Sequence, residues 1–82
     1  MNIKTFKHED TIDSICFSND EKFMFYSDTY TIYVIDLVTK RMIKQLIPHN
    51  DIINYLCINP KNNNLISCSF DGNIKIIDIN TS

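Results

Sequence analysis

Residues 8–37 read HEDTIDSICFSNDEKFMFYSDTYTIYVIDL, and residues 49–79 read HNDIINYLCINPKNNNLISCSFDGNIKIIDI. The second stretch restates the first. His8 aligns with His49, Ile12 with Ile53, Ile15 with Leu56, Cys16 with Cys57 and Phe17 with Ile58. One extra residue, placed in the run Asn62 to Asn64, then aligns Phe23 with Leu65, Ser27 with Ser69, Ile32 with Ile74, Val34 with Ile76 and Asp36 with Asp78. A repeat of this length, built of short apolar runs, marks an array of small β units, each relying on its neighbours to cover its apolar faces.

Working outward, strand signals recur along the whole chain. The segments are 2–6, 11–17, 22–27, 31–37, 41–47, 52–58, 64–69 and 73–79. Their β-branched and aromatic side chains suit a pleated surface. Between them stand turn formers: Asn19-Asp20, Ser27-Asp28, Asn59-Pro60, the Asn triplet and Asp71-Gly72. Asp-Gly between two apolar runs is the sharpest hairpin signal of the set. Thr39 to Leu46 has helical propensity, but its place in the repeat argues for a strand, and no helix is expected.

The chain has 82 residues, is 44% hydrophobic and 22% charged, and carries a net charge of −2. Such a balance offers no basic field for nucleic acid. No apolar run approaches the length of a membrane span. Two of the three cysteines fall at matching repeat positions in expected strands, which suits reduced thiols and an intracellular setting, cytoplasmic or nuclear, better than a disulfide frame.

Taken in order, these residues resemble the WD repeats of β-propeller proteins. That family opens each repeat with a His, continues with a V-x-x-V-x-[FI]-[SN]-P strand and turn, then an L-x-S-x-S strand, an Asp-Gly turn and a strand ending in Trp-Asp. The second copy matches at His49, Ile53, Leu56, Ile58-Asn59-Pro60, Leu65 to Ser69, Asp71-Gly72 and Ile74 to Asp78. The first keeps His8, Ile12, Ile15, Phe17-Ser18 and Ile32 to Asp36, with Thr29-Tyr30 at the Asp-Gly turn. The Trp is absent from both copies, and Ile35 and Ile77 stand in its place.

The resemblance implies an all-β fold of two antiparallel four-stranded propeller blades, with strand order d-abcd-abc. One blade spans residues 11–47. The other spans 52–79 and is expected to be completed by strand 2–6. It further implies a structural hydrogen-bond chain from Asp71 through His49 to Ser67. In the first copy, Phe25 and Thr29 stand at the Ser and Asp positions, so that network is expected to be mostly lost. Two blades cannot close a ring. Either the chain is a piece of a larger propeller, or several copies share one ring, or the strands form a compact sandwich that is not a propeller.

The implied function is a scaffold for protein–protein interaction. Its contact candidates are the turn residues Tyr30, Asp28, Asp51, Phe70 and Asn73. Self-assembly to complete a ring is a further partner reading. The alternative is a propeller that binds phosphoinositides at a membrane surface. That group carries a paired-arginine motif, whereas Arg41 is the only arginine here. The two His-x7-Cys pairs have a metal-like look, but equivalent positions in neighbouring blades need not converge. Asp71, His49 and Ser67 have the residue types of a hydrolytic triad without a nucleophile elbow or oxyanion hole. No catalytic, cofactor-binding or metal-ligating residue is assigned.

Overall fold

Seven strands form two antiparallel sheets in the computed structural model, which describes residues 1–79. The first sheet holds β1 (Ser14–Phe17), β2 (Phe23–Asp28), β3 (Thr31–Asp36) and β4 (Arg41–Leu46) in sequence order. The second holds β5 (Ile53–Ile58), β6 (Leu65–Ser69) and β7 (Ile74–Ile77), again in order. The described residues contain no helix. Each sheet is a meander, because the connections are too short for anything but antiparallel neighbours.

The turns show why the chain reverses where it does. At the β1–β2 connection, Ser18 Oγ donates to Asp20 Oδ1 (2.6 Å) and accepts from the Phe23 amide (3.0 Å). At the β3–β4 connection, Asp36 Oδ1 accepts the amides of Val38 (2.8 Å) and Thr39 (3.2 Å). At the β6–β7 connection, Asp71 Oδ1 accepts the Asn73 amide (2.8 Å), and Gly72 supplies a φ of 86°. Short polar side chains thus hold the loop backbone in turns that compete with further extension.

The main core lies between the sheets. Phe25, Ile32 and Val34 on one side meet Ile53, Leu56 and Leu65 on the other. Phe25, Ile32, Ile53 and Leu65 are fully buried. Burying such side chains contributes about 1.5–3 kcal/mol each, the dominant favourable term in a chain this small. Polar ties fasten the seam along its length. The Ile53 amide donates to the Thr29 carbonyl (2.7 Å), and the Leu56 amide to Ser14 Oγ (3.1 Å). At the far end, the Asn19 amide donates to Asn63 Oδ1 (2.9 Å), and its side chain to the Pro60 carbonyl (2.9 Å).

Two sequence expectations need correction. Residues 2–6 form no strand. Phe6 instead packs over Met24, Tyr26 and Ile35 on the outer face of the first sheet, so this segment does not complete the second blade within its own chain. In the single chain the apolar outer face of the first sheet takes up Phe6 instead.

The second correction concerns the extra residue. Strand pairing matches Ile15–Tyr26–Tyr33 in the first sheet with Leu56–Ser67–Lys75 in the second. These are offsets of 41, 41 and 42, so the insertion falls in the β6–β7 turn and not in the Asn run. The β2–β3 hairpin turns on Thr29 and Tyr30 alone, whereas its counterpart has one residue more. One residue in a hairpin loop changes which side chains share a face.

Candidate functional site

Strand direction gathers one set of loops at one end of the molecule. β1, β3, β5 and β7 start there, and β2 and β6 finish there. The loops are residues 9–13, the turn at Thr29-Tyr30, residues 50–52 and residues 70–73. Hydrogen bonds from backbone and side chains tie these loops together. The Thr29 amide donates to Asp13 Oδ2 (2.9 Å), and the Phe70 amide donates to the Ile52 carbonyl (3.0 Å). Ser69 Oγ donates to the carbonyls of Asp51 (3.1 Å) and Ile52 (3.0 Å).

Beneath this surface sits one histidine per copy. His49 is 3% exposed. Its Nδ1 lies 3.0 Å from Asp71 Oδ2, and its Nε2 lies 2.7 Å from Ser67 Oγ. A carboxylate can only accept, so Nδ1 carries the proton and Nε2 accepts from the serine hydroxyl. Burial pushes the Asp71 carboxyl up. The amides of Asn73 and Asn50, with the His49 ring, outweigh it and hold the group below the ordinary carboxylate value. Ser67 is fully buried, which takes it out of reach of a substrate carbonyl. The trio therefore fastens the β6–β7 turn to the segment entering β5.

The first copy keeps its histidine network with different partners, contrary to the expectation that it is mostly gone. His8 Nε2 donates to Asp28 Oδ2 (2.8 Å), and His8 Nδ1 accepts from the Tyr26 hydroxyl (3.2 Å). The hydrogen bond from His8 holds the Asp28 carboxyl below its ordinary value. The ring is used in the opposite sense from His49, with Nε2 rather than Nδ1 facing the acid. Register explains the substitution: Tyr26, not Phe25, occupies the place of Ser67. Tyr26 and Tyr33 stack at 5.1 Å, and His8 meets Tyr33 edge-on at 4.9 Å. The sequence does hold a signal for these partners. Counting alternate residues back from a two-residue Thr29-Tyr30 turn places Tyr26 and Asp28 on one face.

The contact candidates divide. Tyr30 and Phe70 stand 47% and 65% exposed on the loop end. Asp51 and Asn73 are exposed there too. Asp28 is committed to His8 and to the Thr29 hydroxyl (3.0 Å) instead. The loop end is acidic. Glu9, Asp10, Asp13, Asp51 and Asp71 lie in its loops and Asp28 closes β2, which makes six of the chain's ten acidic residues. None of the loops 9–13, 29–30, 50–52 and 70–73 holds a lysine or arginine.

Elsewhere, burial pushes the Cys16 thiol up to about 12, and neighbouring Cys57 adds to the shift. The three cysteines are free thiols. No group of three or more potential metal ligands occurs among the described residues.

Comparison with known proteins agrees with this architecture. The sequence profile described as "WD domain, G-beta repeat" matches residues 1–36 and 40–78. The BTB/POZ domain and WD-repeat protein R154 of Acanthamoeba polyphaga mimivirus is 36% identical over 83 residues, covering 90% of this chain and 17% of that protein. The WD repeat-containing protein 75 of Mus musculus is 36% identical over 63 residues, covering 76% of this chain and 8% of that protein. The chain thus spans a small part of either relative. Among solved structures, the computationally designed Ika4 protein superposes with a TM-score of 0.73 at 25% identity, over 88% of this chain and 43% of that one.

Proposed function

The chain belongs to the WD-repeat family, and from that premise we propose that it is a protein-interaction scaffold whose docking surface is the acidic loop end. Members of the family generally serve as scaffolds for other proteins. The observation that carries the reading is the joint placement, at one end of the sheets, of five acidic loop residues, Asp28 at the end of β2, and two exposed aromatic rings, Tyr30 and Phe70. Aromatic side chains are favoured as interface anchors. A one-signed rim steers a partner of opposite charge and speeds encounter. The partner class is therefore a protein segment rich in lysine and arginine with an apolar side chain between them.

Fluorescence anisotropy with a Lys/Arg-rich peptide and a Glu-rich peptide of equal length tests this. The basic peptide should bind, more weakly as salt rises. Phe70→Ala or Tyr30→Ala should weaken binding roughly ten-fold, about 1.4 kcal/mol. Amide shifts should gather at Thr29-Tyr30 and residues 50–52 and 70–73. Equal binding of both peptides, or shifts gathered at Asn19 and residues 59–64, would overturn the reading.

A further inference from the structure

The second sheet has three strands among the described residues, and β7 is its outer edge. The first sheet has a fourth strand, β4, at the matching place. A groove of about 280 Å³ is lined by Phe23, Phe25, Val34, Ile43, Lys44 and Leu46 of the first sheet and by Ile79, two residues past β7.

A segment that suits this edge lies at the other end of the chain. Ile3-Lys4-Thr5-Phe6 precedes His8 much as Ile43-Lys44-Gln45-Leu46 precedes His49, with a lead-in one residue shorter. The later stretch is a strand; the earlier one is unpaired, and Ile3 is 83% exposed.

The repeat also says what fits the open faces. Inside the chain, Cys16, Phe25, Ile32 and Val34 of the first sheet pack on the second. Strand pairing makes their counterparts Cys57, Ile66, Ile74 and Ile76. That outward face shows Ile74 and Ile76 at 70% and 69% exposure, beside Tyr55. The partners across the seam, Leu56, Ile58 and Leu65, have the counterparts Ile15, Phe17 and Met24 on the outer face of the first sheet. Ile15 and Phe17 are half exposed.

We propose that residues 2–6 of a second copy of this chain pair with β7, setting that copy's first sheet on the outward face of this chain's second sheet. The contact between copies repeats the contact already made within one. Phe6 leaves its own Met24, Tyr26 and Ile35 as that face is covered. The operation is head-to-tail, so it ends only by closing on itself. Propellers of about four to eight blades set the closed assembly at two to four copies.

Sedimentation velocity and light scattering on the 82-residue chain test this, independently of any other partner. A discrete species of two to four chains is expected. Ile76→Lys should reduce it to the mass of one chain. The circular dichroism of that variant should be unchanged, since the side chain it replaces is exposed. Ile3→Pro should give the same loss, because proline cannot donate to a ladder. Val38→Lys, on the β3–β4 turn, should change nothing. Three outcomes overturn the proposal: a single-chain mass at every concentration, assemblies that grow without limit, or variants Ile76→Lys and Ile3→Pro that keep the oligomer.

Discussion

The two histidines occupy matching places and are fastened by different chemistry. His49 lies inside the seam and accepts a hydrogen bond from a serine. His8 lies on the outer face and accepts a hydrogen bond from a tyrosine that stacks on a second tyrosine. What is common is an acid across the turn, Asp71 or Asp28. The second copy holds its turn with a buried polar chain, the first with an aromatic cluster. A repeat can keep the connection between loop and strand while exchanging the residue that makes it. Strand register, not alignment column, says which residue that is.

The largest test of this comparison is Phe25→Ser against Tyr26→Ser. Alignment makes Phe25 the counterpart of Ser67; register makes it Tyr26. Phe25→Ser puts a hydroxyl into the apolar seam and should cost about 4 kcal/mol in urea unfolding. Tyr26→Ser should cost about 2 kcal/mol, since it leaves the seam intact. The reverse order would break the register argument.

Next in size is removal of each histidine. His49→Ala strands a buried serine hydroxyl and an acid, and should cost about 3 kcal/mol. His8→Ala acts on a more open site and should cost about 1 kcal/mol. Equal costs, read from the same unfolding curves, would mean that burial does not separate the two networks.

Acid should act on both copies. Asp28 and Asp71 have folded-state pKa values below their unfolded ones. Their contribution is present above the unfolded value of about 3.9 and is lost as pH falls through the folded values. The urea midpoint should therefore drop between pH 5 and pH 2. Asp28→Asn and Asp71→Asn should each flatten that drop.

The smallest contrast lies in the turns. Gly72 has a φ of 86° with open space around its Cα, so Gly72→Ala should cost about 1 kcal/mol from backbone strain alone. Thr29, with a φ of 57°, is a β-branched residue in the same left-handed region. Thr29→Gly should shift thermal unfolding the other way, by about 0.5 kcal/mol, since relief of strain outweighs the added freedom of the unfolded chain.

Much of this was legible before folding. The repeat, the alternation of Ile, Val, Leu and Phe, and the Asp-Gly and Asn-Pro turns mark the strands, because these signals are local. His49 with Ser67 and Asp71 was legible too, since that copy keeps the family's residue types. Tyr26 and Asp28 as the partners of His8 were not, because the copy departs from those types and only the two-residue turn points to them.

What the sequence alone determined is therefore the number of sheets, their antiparallel order and the residues that turn the chain. These follow from short-range preferences for extension and reversal. The tertiary structure decided which face each side chain takes, where the one-residue insertion lies, and that residues 2–6 stand apart from the second sheet. Those depend on pairing between distant strands, where a shift of one residue exchanges the two faces, and no local preference can choose between them.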